Sequence, residues 1–229
     1  MTQTPTKKSE KLLWCDQCMG NSCAERHPEG MPEYCQVKGN PDLVELSREK
    51  YLDPEVAKIH LAISKLQDRQ KTAGELWPRV KEAIEFSREL NVTKVGIAVC
   101  ISMLRECAEF AKLLRQSGLE VCTASCMAGG LGKAETGIPE EWMAPACNPV
   151  IQAEILNRAG TELNFIYGLC MGHDTLFIQN SKAPVSIMVV KDRVTVNNPG
   201  AVLFSFYHRR ALWAEYGGDP GGWDLKKIS

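Results

Sequence analysis

Ten cysteines in a chain of 229 residues are the side chains most able to do chemistry. Four of them, Cys15, Cys18, Cys23 and Cys35, are spaced C-x2-C-x4-C-x11-C. The loops between the first three are short and contain Gly20, so those thiols can converge on one ion or cluster. A proline-containing turn can return the fourth. Four thiolates suit a tetrahedral zinc ion, or one each on the irons of a [4Fe–4S] cluster. The spacing is neither that of bacterial ferredoxins nor that of a zinc ribbon. It identifies a metal site without choosing the metal, and His27 is an alternative ligand.

A second constellation emerges only through the elements that position it. Residues 94–100 (KVGIAVC) form an apolar run typical of a buried parallel strand. A helix over 102–116 follows, with Leu104, Cys107, Ala108, Ala111 and Leu114 on one face and Gly118 as its stop. Strands are expected over 119–126, 162–169 and 184–191, with helices over 149–159 and about 174–179. This alternation predicts an α/β fold with a Rossmann-like, mostly parallel sheet of about four or five strands and flanking helices. Cys100 and Cys126 then end two strands, Cys170 follows a third, and Cys147 precedes a helix start. In an open parallel sheet the carboxyl ends of strands line the ligand crevice. All four therefore fall on one edge, where helix N-termini favour an anionic cluster or substrate. Cys107 and Cys122 read as ordinary buried cysteines.

Other residues land beside that edge. Gly168-Leu169-Cys170-Met171-Gly172-His173-Asp174 is a tight strand-to-helix turn, in which His173 can act as general acid or base and Asp174 can cap the helix. Lys191-Asp192-Arg193 follow the last strand and land at its carboxyl end, where they either bind an anionic substrate, with Lys191 beside it, or bury a salt-bridged turn. Gly129 to Lys133 lacks the spacing of a phosphate loop, and the long loop over 127–146 has the length of a lid.

The rest of the chain is organised around this core. Residues 1–14 read as a flexible tail, 15–39 as a Cys-rich metal-binding segment too broken for helix or strand, 40–91 as a helical region packing on the core, and 92–229 as the α/β core. Asn40-Pro41, Asp53-Pro54, Asn148-Pro149 and Asn198-Pro199 each pair a capping residue with a proline at the first helical position. Charge is balanced, with 27 Lys+Arg against 28 Asp+Glu, which argues against a nucleic-acid partner. No apolar run reaches the roughly 20 residues needed to span a bilayer, and the first 14 residues lack a signal-peptide core. A cytoplasmic chain keeps its thiols reduced, so metal or redox chemistry is expected here and not disulfides.

The stretches Cys147-Asn148-Pro149, Gly168-Leu169-Cys170-Met171-Gly172-His173-Asp174 and Lys191-Asp192-Arg193 carry a resemblance. Over roughly residues 15–205 the sequence resembles a prokaryotic domain-of-unknown-function family, usually labelled metal-binding proteins and common in anaerobic bacteria and methanogens. Members often have Lys where Met127 stands and His-Asn-Pro where this chain has Asn197-Asn198-Pro199. The resemblance implies metal binding and names no substrate.

The combined expectation is an iron–sulfur protein with one [4Fe–4S] cluster on Cys15, Cys18, Cys23 and Cys35. A second is expected on Cys126, Cys147 and Cys170, with or without Cys100. It would work with a small-molecule substrate and an electron donor or acceptor protein, without membrane attachment, and its oligomeric state is left open. The reaction would be redox, or Lewis-acid chemistry at an open iron such as desulfuration, with His173, Asp174 and Lys191 beside it. The competing expectation is a zinc-binding or soft-metal-sensing protein with structural zinc at the N-terminal site.

Overall fold

The computed structural model of the chain describes residues 15–18 and 22–217; the tail expected over residues 1–14 lies outside them. The chain divides into two compact units, residues 1–64 and 65–229.

The first unit is built from short helical pieces. After a 3-10 turn at Cys15–Gln17 come α1 (Ser22–Glu25), α2 (Gln36–Gly39) and α3 (Asp42–Lys50), and α4 (Pro54–Ala73) crosses into the second unit. The Cys-rich stretch therefore does form helix, in single turns. That corrects the expectation of none, because proline and glycine limit length without forbidding a turn. Asp53 caps α4 as expected, its Oδ1 accepting from the amides of Glu55 and Val56 at 2.9 and 3.2 Å. Asn40 does not cap α3; its Nδ2 donates back to Gln36 O, closing α2 instead.

The second unit holds the sheet. After α5 (Arg79–Glu89) come β1 (Lys94–Val99), α6 (Leu104–Gln116), β2 (Glu120–Ser125), α7 (Pro149–Ala159), β3 (Leu163–Tyr167), α8 (His173–Asn180) and β4 (Val185–Val189). Two further helices close the described chain, α9 (Ala201–Phe204) and α10 (Phe206–Glu215). The four strands are all parallel, in the order β2-β1-β3-β4. Every strand residue of β1 after Lys94 is buried, as a central strand covered on both faces requires. Asn198 is not an N-cap, because α9 begins only at Ala201 and is capped from Gly200.

Alternation along the strands sorts the two faces. Ala98, Ala124 and Ile166 pack with Ala153 and Leu156 of α7 and Phe177 of α8. Phe110 of α6 meets Phe165 edge-on and stacks on Tyr167, ring centroids 5.5 and 5.8 Å apart. The buried stripe of α6 is Cys107, Phe110, Ala111 and Leu114, while Leu104 and Ala108 are exposed. The expected stripe is thus rotated toward the aromatic ring, which has the most area to bury.

Two glycines set how closely layers approach. At Gly96 in β1 a Cβ would fall 2.1 Å from Asn164 Oδ1 of β3. That space lets the fully buried Asn164 amide accept from Thr161 Oγ1 and donate to Ser181 Oγ, at 2.8 and 2.9 Å. Gly168, directly after β3, has φ +71° and faces the Met103 thioether, which a Cβ would meet at 2.1 Å. Both the backbone angle and the lack of room exclude a side chain. Gly168→Ala should therefore lower stability by about 2–4 kcal/mol, read as a lower urea midpoint at unchanged slope.

Candidate functional site

In the order β2-β1-β3-β4 the chain leaves β1 toward β2 on one side and then crosses back to β3 on the other. The point of reversal lies between β1 and β3, where parallel α/β sheets open a crevice at their carboxyl ends. The segments after β1, β2 and β3 are pinned to one another there by backbone bonds. Cys100 N donates to Tyr167 O at 3.2 Å, and Cys126 N donates to Val99 O at 2.9 Å. Asn148 N donates to Cys126 O at 2.8 Å, docking the Cys147-Asn148 turn onto the end of β2. Asn148 Oδ1 also accepts from Ile151 N, so the expected cap fixes the start of α7. Cys170 O accepts from the amides of His173 and Asp174 at 3.0 and 3.2 Å, tying that cysteine to the first turn of α8.

The side chains converge accordingly. Cys100 and Cys126 are buried, and Cys147 and Cys170 are half-buried. The thiols of Cys100, Cys126 and Cys147 perturb one another's ionisation, and Cys170 acts on Cys147. Ile101 N donates to Cys126 Sγ at 3.3 Å, and Cys147 Sγ lies 3.9 Å from the thioether of Met127. Lys191 Nζ donates to Cys100 Sγ and, at 2.9 Å, to Ser102 Oγ, which itself stands 3.4 Å from that sulfur.

These surroundings split the thiols into two kinds. Burial pushes Cys100 up, but the hydrogen bonds from Lys191 and Ser102 and the Lys191 charge outweigh it, leaving the thiol near pKa 7. Burial pushes Cys126 up to about 11, the Ile101 amide offsetting only part of this, and neighbouring thiols add to the rise. Cys147 is also raised, chiefly by burial. Cys107, on the buried face of α6, is pushed to about 11 by burial and behaves as the core residue expected of it.

A strained loop carries Lys191. Asp192 Oδ1 accepts from Val194 N and Thr195 N at 2.8 and 3.0 Å, and Asn197 Oδ1 accepts from Asp192 N at 3.1 Å. Val196 and Asn197 both take positive φ, +53° and +63°. A β-branched residue adopts that angle only when its surroundings impose it. Asp174 is committed to its own turn, Oδ1 accepting from Gly172 N and Thr175 N at 2.9 and 2.8 Å. His173, at the first position of α8, is half-buried, and its ring has no hydrogen-bond partner among the described residues.

Two contributors escaped the sequence reading. Gln152 is fully buried on α7; its Nε2 bridges carbonyls near the ends of two strands, Val99 O at 3.1 Å and Ala124 O at 2.7 Å. Its Oε1 is buried without a partner. The available signal was its polarity on the sheet-facing side of α7, four residues after Asn148. Ser102 lies beyond the strand end, and the one signal for it in the sequence is its offset of two from Cys100.

The N-terminal cysteines are less gathered. Cys15 and Cys23 are exposed, Cys18 and Cys35 half-buried, and His27 Nδ1 faces Glu29 Oε1 at 3.4 Å. Among the described residues no three His, Cys, Asp or Glu side chains stand in position to share one metal ion. A zinc ion about 2.3 Å from each sulfur would need sulfurs about 3.8 Å apart. A [4Fe–4S] cluster takes each thiolate on a separate iron and so accepts a wider spread. The sheet-edge thiols, shielded and with a backbone N–H on Cys126 Sγ, fit that donor set in kind.

Fold and site together define an α/β protein with thiols at the carboxyl edge of a four-stranded parallel sheet. The chain belongs to the family described as protein of unknown function (DUF1847), which matches residues 35–188. That span holds Cys35, Cys100, Cys126, Cys147, Cys170, His173 and Asp174, and ends before Lys191. The chain is 40% identical over 137 residues to an uncharacterized protein of Methanocaldococcus jannaschii, covering 58% of this chain and 70% of the relative. Among the described residues no helix is long and apolar enough to cross a membrane.

The split in thiol acidity is directly measurable on metal-free protein. Cys100 should reach half-maximal alkylation near pH 7, since below that it holds its proton and above it is thiolate. Cys126 should lag until near pH 11. Lys191→Met should move the Cys100 midpoint upward, because burial then acts with less opposition.

Proposed function

We propose that this chain is an iron–sulfur protein whose sheet edge binds a [4Fe–4S] cluster through Cys126, Cys147 and Cys170. The observation that carries this reading is the meeting of four thiols at one sheet edge: Cys126 and Cys170 both act on Cys147, and Cys100, which also reaches Cys126 and Cys147, is in addition held by Lys191 and Ser102. Three thiolates on a four-iron cluster leave one iron open to an exogenous ligand. Bound there, the cluster would supply electron transfer or Lewis-acid activation of a small molecule, of which desulfuration is one example.

The chain's own residues have assignable parts. Ile101 N–H on Cys126 Sγ would stabilise a ligating thiolate. Gln152 holds the ends of β1 and β2 at fixed separation, which sets where Cys100 and Cys126 stand. Lys191 brings a fixed positive charge to the crevice, and the unpartnered ring of His173 is free to carry a proton. Asp174 orients the turn that presents Cys170 and His173.

The set of Cys15, Cys18, Cys23 and Cys35 would hold a second [4Fe–4S] cluster that relays electrons to or from a partner protein, with zinc as the alternative occupant. Iron, zinc and acid-labile sulfide counted per chain after anaerobic purification test both assignments. About eight irons and eight sulfides are expected, and Cys170→Ser should leave about four of each. One zinc with no sulfide, or iron unchanged by Cys170→Ser, would overturn the sheet-edge assignment.

A further inference from the structure

The Cys100 corner has chemistry that cluster binding does not use. A metal ligand needs no counter-cation of its own, yet the Lys191 ammonium is directed at Cys100 Sγ and anchored by Ser102 Oγ at 2.9 Å. The strained turn through Val196 and Asn197, closed by the Asp192 and Asn197 side chains, fixes the backbone just after Lys191. Cys100 itself ends β1 at the reversal point of strand order, beside the turn that follows β3. This is the arrangement of a paired nucleophile: a thiolate, a fixed cation and a hydroxyl within reach of both.

The environment also selects the electrophile. Cys100 is only 6% exposed, so what reaches it must present a small terminal atom and not a bulky carbon centre. The walls are rich in sulfur, with Cys126, Cys147 and the Met127 thioether. Soft, polarisable surroundings suit a sulfur atom in transit better than a hard acyl or phosphoryl group. The product of sulfur uptake, a persulfide, is an anion, and the Lys191–Ser102 pair is a ready cradle for it.

We propose that Cys100 is a sulfur-accepting nucleophile, taking a sulfane sulfur from a small persulfide donor with Lys191 and Ser102 holding the resulting anion. In the step, the Cys100 thiolate attacks the terminal sulfur of R–S–SH. A new S–S bond forms on Cys100, the donor S–S bond breaks, and R–S⁻ leaves with the electron pair. The transferred sulfur keeps its oxidation state and its proton until the persulfide ionises against Lys191. No external oxidant or reductant is required. The activity does not rest on the cluster assignment, since it uses none of the three thiols placed there.

The test treats the full-length protein, both as isolated anaerobically and after removal of metal, with glutathione persulfide, followed by peptide mass analysis. The expected result is one added sulfur atom on the peptide containing Cys100, reversed by a reducing thiol and absent in Cys100→Ser. Lys191→Ala should slow labelling by roughly tenfold, the loss of one charge-assisted hydrogen bond, and Lys191→Arg should restore part of it. Unchanged circular dichroism of the Lys191 variants separates this loss from misfolding. Sulfur found only on Cys126, Cys147 or Cys170, no sulfur on any cysteine, or a folded Lys191→Ala labelling at the wild-type rate would each overturn the proposal. Iron content bears on the cluster alone, so the two readings fail separately.

Discussion

Everything at the site depends on the parallel pairing of β1 with β2 on one side and β3 on the other. Parallel register aligns the carboxyl ends of all three strands on one edge, Val99 opposite Ser125 and Tyr167. The next residue or two along each strand then meet: Cys100, Cys126 and the turn leading to Cys170. An antiparallel arrangement would send one of these to the opposite end. The buried Gln152 amide reinforces the constraint, because the carbonyls of Val99 in β1 and Ala124 in β2 share its one donor group. A buried amide of this kind costs free energy wherever it is unmatched, and its unpaired Oε1 shows that part of the cost is retained.

The same edge concentrates opposite electrostatic demands. Thiols shielded from water resist ionisation, which is why Cys126 is pushed to about 11. Cys100 escapes this because Ser102 bonds to it and Lys191 reaches it from beyond β4, ahead of a turn with two residues in left-handed conformation. Backbone strain after Lys191 is the structural counterpart of an unusually acidic thiol at the end of β1. Cys126 and Cys147 are therefore held toward the neutral form, and Cys100 is predisposed to carry charge.

Much of this was legible from residue types and spacing. Strand β1 and helix α7 were marked by an uninterrupted apolar run and an Asn-Pro start, and both lie where expected. The placing of Cys100, Cys126, Cys147 and Cys170 on one edge follows from the parallel alternation of strands and helices, because side-chain detail is not needed to place strand ends and helix starts. The pairing of Lys191 with Cys100 could not be read, since it spans 91 positions and depends on how the loop after β4 folds back. The failed caps at Asn40 and Asn198 share a cause. Asn is equally able to bond backwards or to stand in a turn, and only neighbouring geometry decides. The α6 stripe was misjudged because alternative apolar faces compete, and Phe110 wins by size.

In the proposed arrangement three thiols at the sheet edge hold a four-iron cluster while Cys100 stays with Lys191. Mössbauer spectroscopy of isotopically enriched protein, with Cys15, Cys18, Cys23 and Cys35 all changed to Ser, isolates the sheet-edge site. The expected result is a [4Fe–4S] signature in which one iron differs from the other three and shifts when an exogenous thiol is added. Four equivalent thiolate-bound irons, or no iron at all, would contradict it.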